Sequence, residues 1–399
     1  MNNQNHTQLP KKTRIYSSGR RAAREILLLC TTANLSPERK ERISSLLSGN
    51  VDWKYLLDLA EFHGIAPLIS RNFTVNDLNS RVSKPYLQRL NEIYNKTLYR
   101  NVILSDELTK ILSAFNQRGI RVISLKGIAL AEMLYENPAL RTMSDMDILV
   151  QPDDLPRASS LLIEMGYKQL TSPVHQAHPF HGAPYYKQTT FPIFIELHWD
   201  LEDEKLMSTP MEKIWGRAQT LQLQWGKTMT LSFEDTLMFS IVQLCKQFDH
   251  LKVLGDIAEL MKKYQRALDW RYIVDSAHSW GIGTGVYYSL KRAQDLLEAP
   301  VPPSVIKELK PKTWRRGIVE FLLSQEVFIS PIKWYKLRME TLVLVRSLMM
   351  KHARQTLLVL EKYRGVGERG AWLRTAIWII LVFIAALGRH ITGVISGRK

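Results

Sequence analysis

Asp145 and Asp147 stand two positions apart within residues 141–150. In an extended strand alternate side chains share a face, so both carboxylates point one way, about 6–7 Å apart along the chain. Met146, Ile148 and Val150 then point the other way and suit a core. Two acids so close repel each other unless a cation lies between them, and a hard divalent ion held by oxygens is the usual solution. The plain alternative is a pair of solvated acids at a strand edge. A second strand-like run, residues 191–199, puts Glu196 and His198 on one face and Ile195, Leu197 and Trp199 on the other. His198 could orient Glu196 or a substrate, or be a satisfied buried histidine.

Upstream, residues 120–125 alternate with β-branched residues, then come Lys126-Gly127 and a helical pattern over residues 128–135. Strand, glycine turn and helix in succession leave backbone N–H groups that can hold an anion, and a lysine adds a point charge beside them. Three acids with an anion cradle form the inventory of a two-metal phosphoryl or nucleotidyl transferase. Two carboxylates would hold a Mg²⁺ that bridges a triphosphate; with the third they would hold another that lowers the pKa of an acceptor hydroxyl. Such chemistry needs positioning and charge neutralisation more than a nucleophilic side chain.

The elements around these residues follow from periodicity. Residues 22–118 read as helices, with Asp52 the N-cap of a helix from Trp53 and a long run over residues 84–115 carrying apolar residues at spacings of three and four. Asn137-Pro138 ends the helix after the glycine turn, and residues 152–166 read as another helix. A loop rich in His, Pro and Tyr follows. Its histidines His175, His178 and His181 invite a zinc site, but no cysteine accompanies them and the prolines disfavour a rigid helix, so they read as loop residues. Residues 233–300 hold at least three more helices.

With 399 residues, 45% hydrophobic and 23% charged, the chain is globular with room for two or three units. Cys30 and Cys245 both fall in apolar helical patterns, which argues against a disulfide framework and fits a reducing, cytoplasmic setting. Residues 1–21 are polar and basic without a following apolar run, so the start reads as a disordered tail rather than a secretory signal. Of the net charge of +16, residues 301–399 supply twelve, from 18 Lys and Arg against 6 Asp and Glu. That excess points to an anionic partner, a membrane surface or nucleic acid, the latter weakened by the lack of any finger spacing or aromatic-basic motif. A basic helix is expected over residues 334–363. The uncharged stretch 375–388 is short of the ~20 residues that span a bilayer. It reads as an anchor lying on the inner face of the membrane, flanked by Arg374, Arg398 and Lys399, or as a helix docked on protein.

Taken together, Leu125-Lys126-Gly127, Leu134-Tyr135 with Pro138, Leu140-Arg141-x-Met143-x-Asp145-Met146-Asp147-Ile148-Leu149-Val150 and Ile195-Glu196-Leu197-His198-Trp199 resemble the bacterial nucleotidyltransferase-like family of the polymerase-β-type superfamily. Trp53, Pro67, Gly255-Asp256-Ile257 and Leu268-Asp269-Trp270 add to the resemblance, which covers roughly residues 22–305. The superfamily usually opens its site with Gly-Ser; Lys126-Gly127 holds that place here. The resemblance implies an α+β fold, a small mixed sheet flanked by helical regions. Asp145 and Asp147 would be the first metal ligands and Glu196 the third carboxylate. Lys126, Gly127 and Arg141 would contact phosphates, with Mg²⁺ or Mn²⁺ as cofactor. The expected units are 1–21, 22–118, 119–232, 233–305 and 306–399. The expected activity is transfer of a nucleoside monophosphate from an NTP, ATP foremost, to an unidentified acceptor. The alternative is a catalytically silent nucleotide-binding or membrane-associated scaffold, or a nucleic-acid binder.

Overall fold

The computed structural model describes residues 11–312, apart from residues 136, 171–181, 202–206, 208, 224–225 and 247–250. Seven strands run through the middle: β1 (Val122–Ser124), β2 (Met146–Val150), β3 (Lys168–Gln169), β4 (Gly182–Lys187), β5 (Ile193–His198), β6 (Gln219–Leu223) and β7 (Gly226–Thr230). They join in the order β3-β4-β5-β2-β1-β7-β6. The pairs β2–β5 and β1–β7 are parallel and the other four antiparallel, so the sheet is mixed. Among the described residues thirteen α-helices surround it, and the fold is α+β.

Alternation along the strands divides the molecule into two cores. Met146, Ile148 and Val150 of β2 and Ile193, Ile195 and Leu197 of β5 face α5 (Lys84–Gln117) and α7 (Leu155–Glu164), around Leu108, Ile111, Phe115 and Leu162. Each such side chain, fully buried, contributes about 1.5–3 kcal/mol. Ile123, Leu125 and Leu149 face the opposite way, into a larger core. This core is shared by α1 (Lys11–Leu29), α2 (Pro37–Leu47), α3 (Trp53–Phe62) and α4 (Ala66–Val75). It also takes in α9 (Phe233–Lys246), α10 (Leu251–Tyr264), α11 (Trp270–Ser279), α12 (Gly283–Leu297) and α13 (Pro303–Leu309). The helices α6 (Ile128–Leu134), through Leu130 and Met133, and α8 (Met211–Arg217), through Ile214 and Trp215, complete it. The face of β2 and β5 opposite the smaller core is therefore the one that carries Asp147, Glu196 and His198.

Several sequence expectations meet the structure directly. Asp52 caps α3, accepting from the Tyr55 N–H at 3.1 Å, and four helices fill residues 233–300. Cys30 and Cys245 are buried and not in a disulfide. The helix α1 begins at Lys11, inside the stretch expected to be a disordered tail. Contacts at its middle account for the order there: the Gly19 carbonyl accepts from the Asp52 N–H, and Arg20 pairs with Asp52 and lies over the Tyr55 ring. Strand β4 also falls where a loop was expected. Residues 182–187 contain Gly and Pro, which argue against a strand, yet all six pair with β5 and Tyr185 is fully buried. His175, His178, His181, the basic helix over 334–363 and the apolar stretch 375–388 lie outside the described residues. Among the described residues no helix is long and apolar enough to cross a membrane.

Candidate active site

The site forms where the parallel pair β2–β5 meets the turn after β1. Register sets Asp147 directly opposite Glu196. Asp147 is 2% exposed, and its Oδ1 takes the Lys126 ammonium at 2.9 Å and His198 Nε2 at 3.1 Å. The other oxygen, Oδ2, is buried with no hydrogen-bond partner among the described residues. His198 Nε2 also lies 3.5 Å from Glu196 Oε2. Burial would raise the Asp147 pKa, but Lys126 and His198 outweigh it and hold the carboxyl well below the usual range. Burial is likewise overcome at Glu196, which His198 holds down, and at His198, which the two acids hold up.

Ligand atoms of Asp147, Glu196 and His198 all lie within 4.8 Å of one another, as a shared cation would require. A buried carboxylate oxygen without a partner beside them is what such a cation would satisfy. The three residues therefore fit a divalent ion. Asp145 shares the face of Asp147 but stands just before the strand and is not a member of that cluster. Its Oδ1 accepts from the Ser144 hydroxyl at 2.9 Å, and burial and the Asp147 charge raise its pKa.

Gly127 sits in the turn at φ +66, and a Cβ there would come 3.3 Å from the Asp145 carbonyl oxygen. The dihedral favours glycine, and the close approach leaves little room for a side chain. Arg141, expected at the phosphates, has its guanidinium engaged elsewhere. It is 6% exposed, pairs with Asp256 through Nε and Nη2 (2.9 Å for the latter) and donates from Nη1 to the Gly127 carbonyl at 3.4 Å. Tyr135 donates its hydroxyl to the same Asp256 at 2.9 Å. Arg141 thus fixes the glycine turn against α10.

A cavity of about 380 Å³, within the range of small-molecule sites, opens over Lys126, Gly127, Asp145 and Asp147, while Glu196 and His198 do not line it. Its walls are the turn from Glu61 to Gly64, the loop from Arg141 to Asp145, Lys126, Asp147, and Phe239, Gln243 and Lys252 of α9 and α10. Lys252 was not legible as a site residue. It donates to the Thr142 carbonyl at 3.0 Å, and burial, with Arg141 nearby, pushes its pKa down to about 8. Nor was Gly182 in β4 legible, although it faces His198 in register. A Cβ there would lie 3.0 Å from the His198 ring and 3.2 Å from Glu196.

A mixed sheet bearing paired acids on adjacent parallel strands, beside a lysine-glycine turn, is compatible with a nucleotidyltransferase. Residues 49–298 match a family described as uncharacterised nucleotidyltransferase, and the chain belongs to that family. Among solved structures, the crystal structure of an antigenic nucleotidyltransferase-like protein from Paracoccidioides brasiliensis is similar at 13% identity and a TM-score of 0.30. That match covers 56% of this chain and 94% of that one, and a likeness so slight supports nothing further. None of the curated proteins compared matches the chain.

Proposed function

We propose that the chain transfers a nucleoside monophosphate from an NTP, ATP foremost, to an acceptor hydroxyl or phosphate. The observation that carries this is the register of Asp147 against Glu196, with an Asp147 oxygen that is buried and has no hydrogen-bond partner among the described residues. Asp147, Glu196 and Asp145 would hold Mg²⁺ or Mn²⁺. When bound, the ion supplies charge neutralisation for a triphosphate and lowers the pKa of an acceptor hydroxyl. The chain's own groups do the rest. Lys126 and the Gly127 turn receive phosphate oxygens, and Lys252 closes the opposite wall of the cavity with a second cation. Arg141, held by Asp256, keeps that turn in place. The acceptor oxygen would form its bond to the α-phosphorus as the bond to pyrophosphate breaks, with Glu196, 36% exposed, taking the acceptor proton.

Titrating ATP into the protein with and without Mg²⁺ tests the centre. Cation-dependent binding is expected in the wild type and should vanish in Asp147→Asn; unchanged binding in that variant would remove the cation role of Asp147. Labelled NTPs incubated with the protein and cell extract should mark the acceptor. A cytoplasmic protein held peripherally at the membrane by the basic residues 306–399 is the accompanying proposal, supported by the charge excess there. Deleting residues 372–399 should release it from the membrane fraction.

A further inference from the structure

His198 stands in the cluster that fits a divalent ion but takes no part in the transfer reaction described above. It is 3% exposed at the end of β5, and its Nε2 is turned toward both Asp147 and Glu196. Space for its ring is left by Gly182 on the neighbouring strand, where a Cβ would come 3.0 Å from Nδ1. Lys126 and His198 both hold Oδ1 of Asp147, so Oδ2 is the oxygen left facing no partner among the described residues. An acid pair that only had to bind a hard ion would be served by oxygens and water alone. Here an imidazole nitrogen stands within 4.8 Å of both carboxylates.

We propose that His198 Nε2 is a cation ligand together with Asp147 and Glu196, and that the site therefore prefers first-row transition ions over Mg²⁺, with Mn²⁺, the weakest binder of that series, as the spectroscopic probe. The inference rests on the transferase reading only in taking those two acids as ion ligands. Imidazole suits transition ions, whereas Mg²⁺ keeps an octahedral shell of oxygens and gains little from nitrogen. With its proton on Nδ1, neutral His198 would offer a lone pair at Nε2, and an ion held by the three groups would take the place of its contact with Asp147.

The test uses the full chain and the metals alone, without nucleotide. Mn²⁺ binding is followed by electron paramagnetic resonance and Mg²⁺ binding by calorimetry, in the wild type, His198→Gln and Asp147→Asn. Wild-type protein should bind Mn²⁺ at least ~10-fold more tightly than Mg²⁺, and its bound Mn²⁺ should show coupling to a ¹⁴N nucleus. In His198→Gln the Mn²⁺ affinity should fall by ~10–100-fold, the nitrogen coupling should vanish and Mg²⁺ affinity should barely move. Bound Mn²⁺ without nitrogen coupling in the wild type overturns the proposal even if the variant fails to fold, as does an equal loss for both ions in His198→Gln. If Asp147→Asn still abolishes both ions in that case, the acids keep their role and His198 alone loses its own. Failure of the wild type to bind either ion would overturn both.

Discussion

Asp256 decides what Arg141 can do. A guanidinium in a cavity wall suggests phosphate contact, but a buried carboxylate already holds it, and the pair locks the Gly127 carbonyl. Removing one partner of such a pair leaves an uncompensated buried charge, at a cost of about 3–5 kcal/mol. Asp256→Ala should lose that much in urea unfolding, and adding Arg141→Met to Asp256→Leu should recover most of it. Lys252 pulls the other way. Its pKa of about 8, against 10.5 for an unperturbed lysine, means the fold disfavours its proton. The cost is fully present below pH 8 and fades between pH 8 and 10.5, where the unfolded chain still holds the proton and the folded chain has released it. Lys252→Met should therefore stabilise the ligand-free protein at pH 7 by roughly 1–3 kcal/mol and flatten the rise in stability above pH 8. The same variant should bind ATP more weakly. A thermal melt series across pH with an ATP titration checks both; equal stability of variant and wild type at pH 7 would show that the amine is not held off its proton. Lys252 could not be found from spacing, because it reaches the acids from a helix about a hundred residues on, across contacts that no periodicity encodes.

At the level of elements, the acids were legible because a strand's period of two leaves little freedom. The alternation of residues 145–150 and 193–198 fixed which side chains share a face, and the structure brings Asp147 and Glu196 together in register. Strands β4, β6 and β7 were not legible. β4 carries Gly and Pro, and its reason for being a strand is the row of pairs it makes with β5. β6 and β7 are short, β7 buries two threonines rather than apolar residues, and the strands are defined by pairing with each other and, for β7, with β1. Pairing partners of this kind are tertiary facts, and local propensity is weak beside them. The strand that leaves room for the His198 ring is therefore one the sequence concealed. Gly182→Ala puts a methyl against the His198 ring and Glu196, and moderate overpacking costs about 1–3 kcal/mol. Mn²⁺ affinity should fall ~10-fold or more while the far-UV circular dichroism stays native, because the ligands shift and the sheet does not. Unchanged affinity would mean that the ring position is set from elsewhere.

Over the whole molecule, the helices before and after the sheet share one interior. The larger core runs from Ala23 and Ile26 through Leu56 and Phe73 to Leu254, Leu290 and Leu309. The cavity lies on a seam of that arrangement: its walls include Gly64 from the turn after α3, Asp147 from the sheet with Asp145 just before it, and Lys252 from α10. The seam is tied at one point by the Leu251 N–H donating to His63 Nδ1, and at another by Thr142 Oγ1 donating to the Gly64 carbonyl. A Cβ on Gly64 would lie 2.4 Å from Thr142 Oγ1, so the three segments meet with no room to spare. A ligand filling the cavity touches all three at once. Its binding free energy must then resist the separation of any of them, and at 100 times its dissociation constant it would add about 2.7 kcal/mol to the stability of the whole. ATP with Mn²⁺ should raise the melting temperature in a single transition, with a dependence on ligand concentration. In hydrogen exchange, the backbone amides of residues 61–65, 142–147 and 251–256 should gain protection together. Protection confined to residues 142–147 would mean that the ligand rests on the sheet alone, and that the helices before and after it are packing partners without a share in the site.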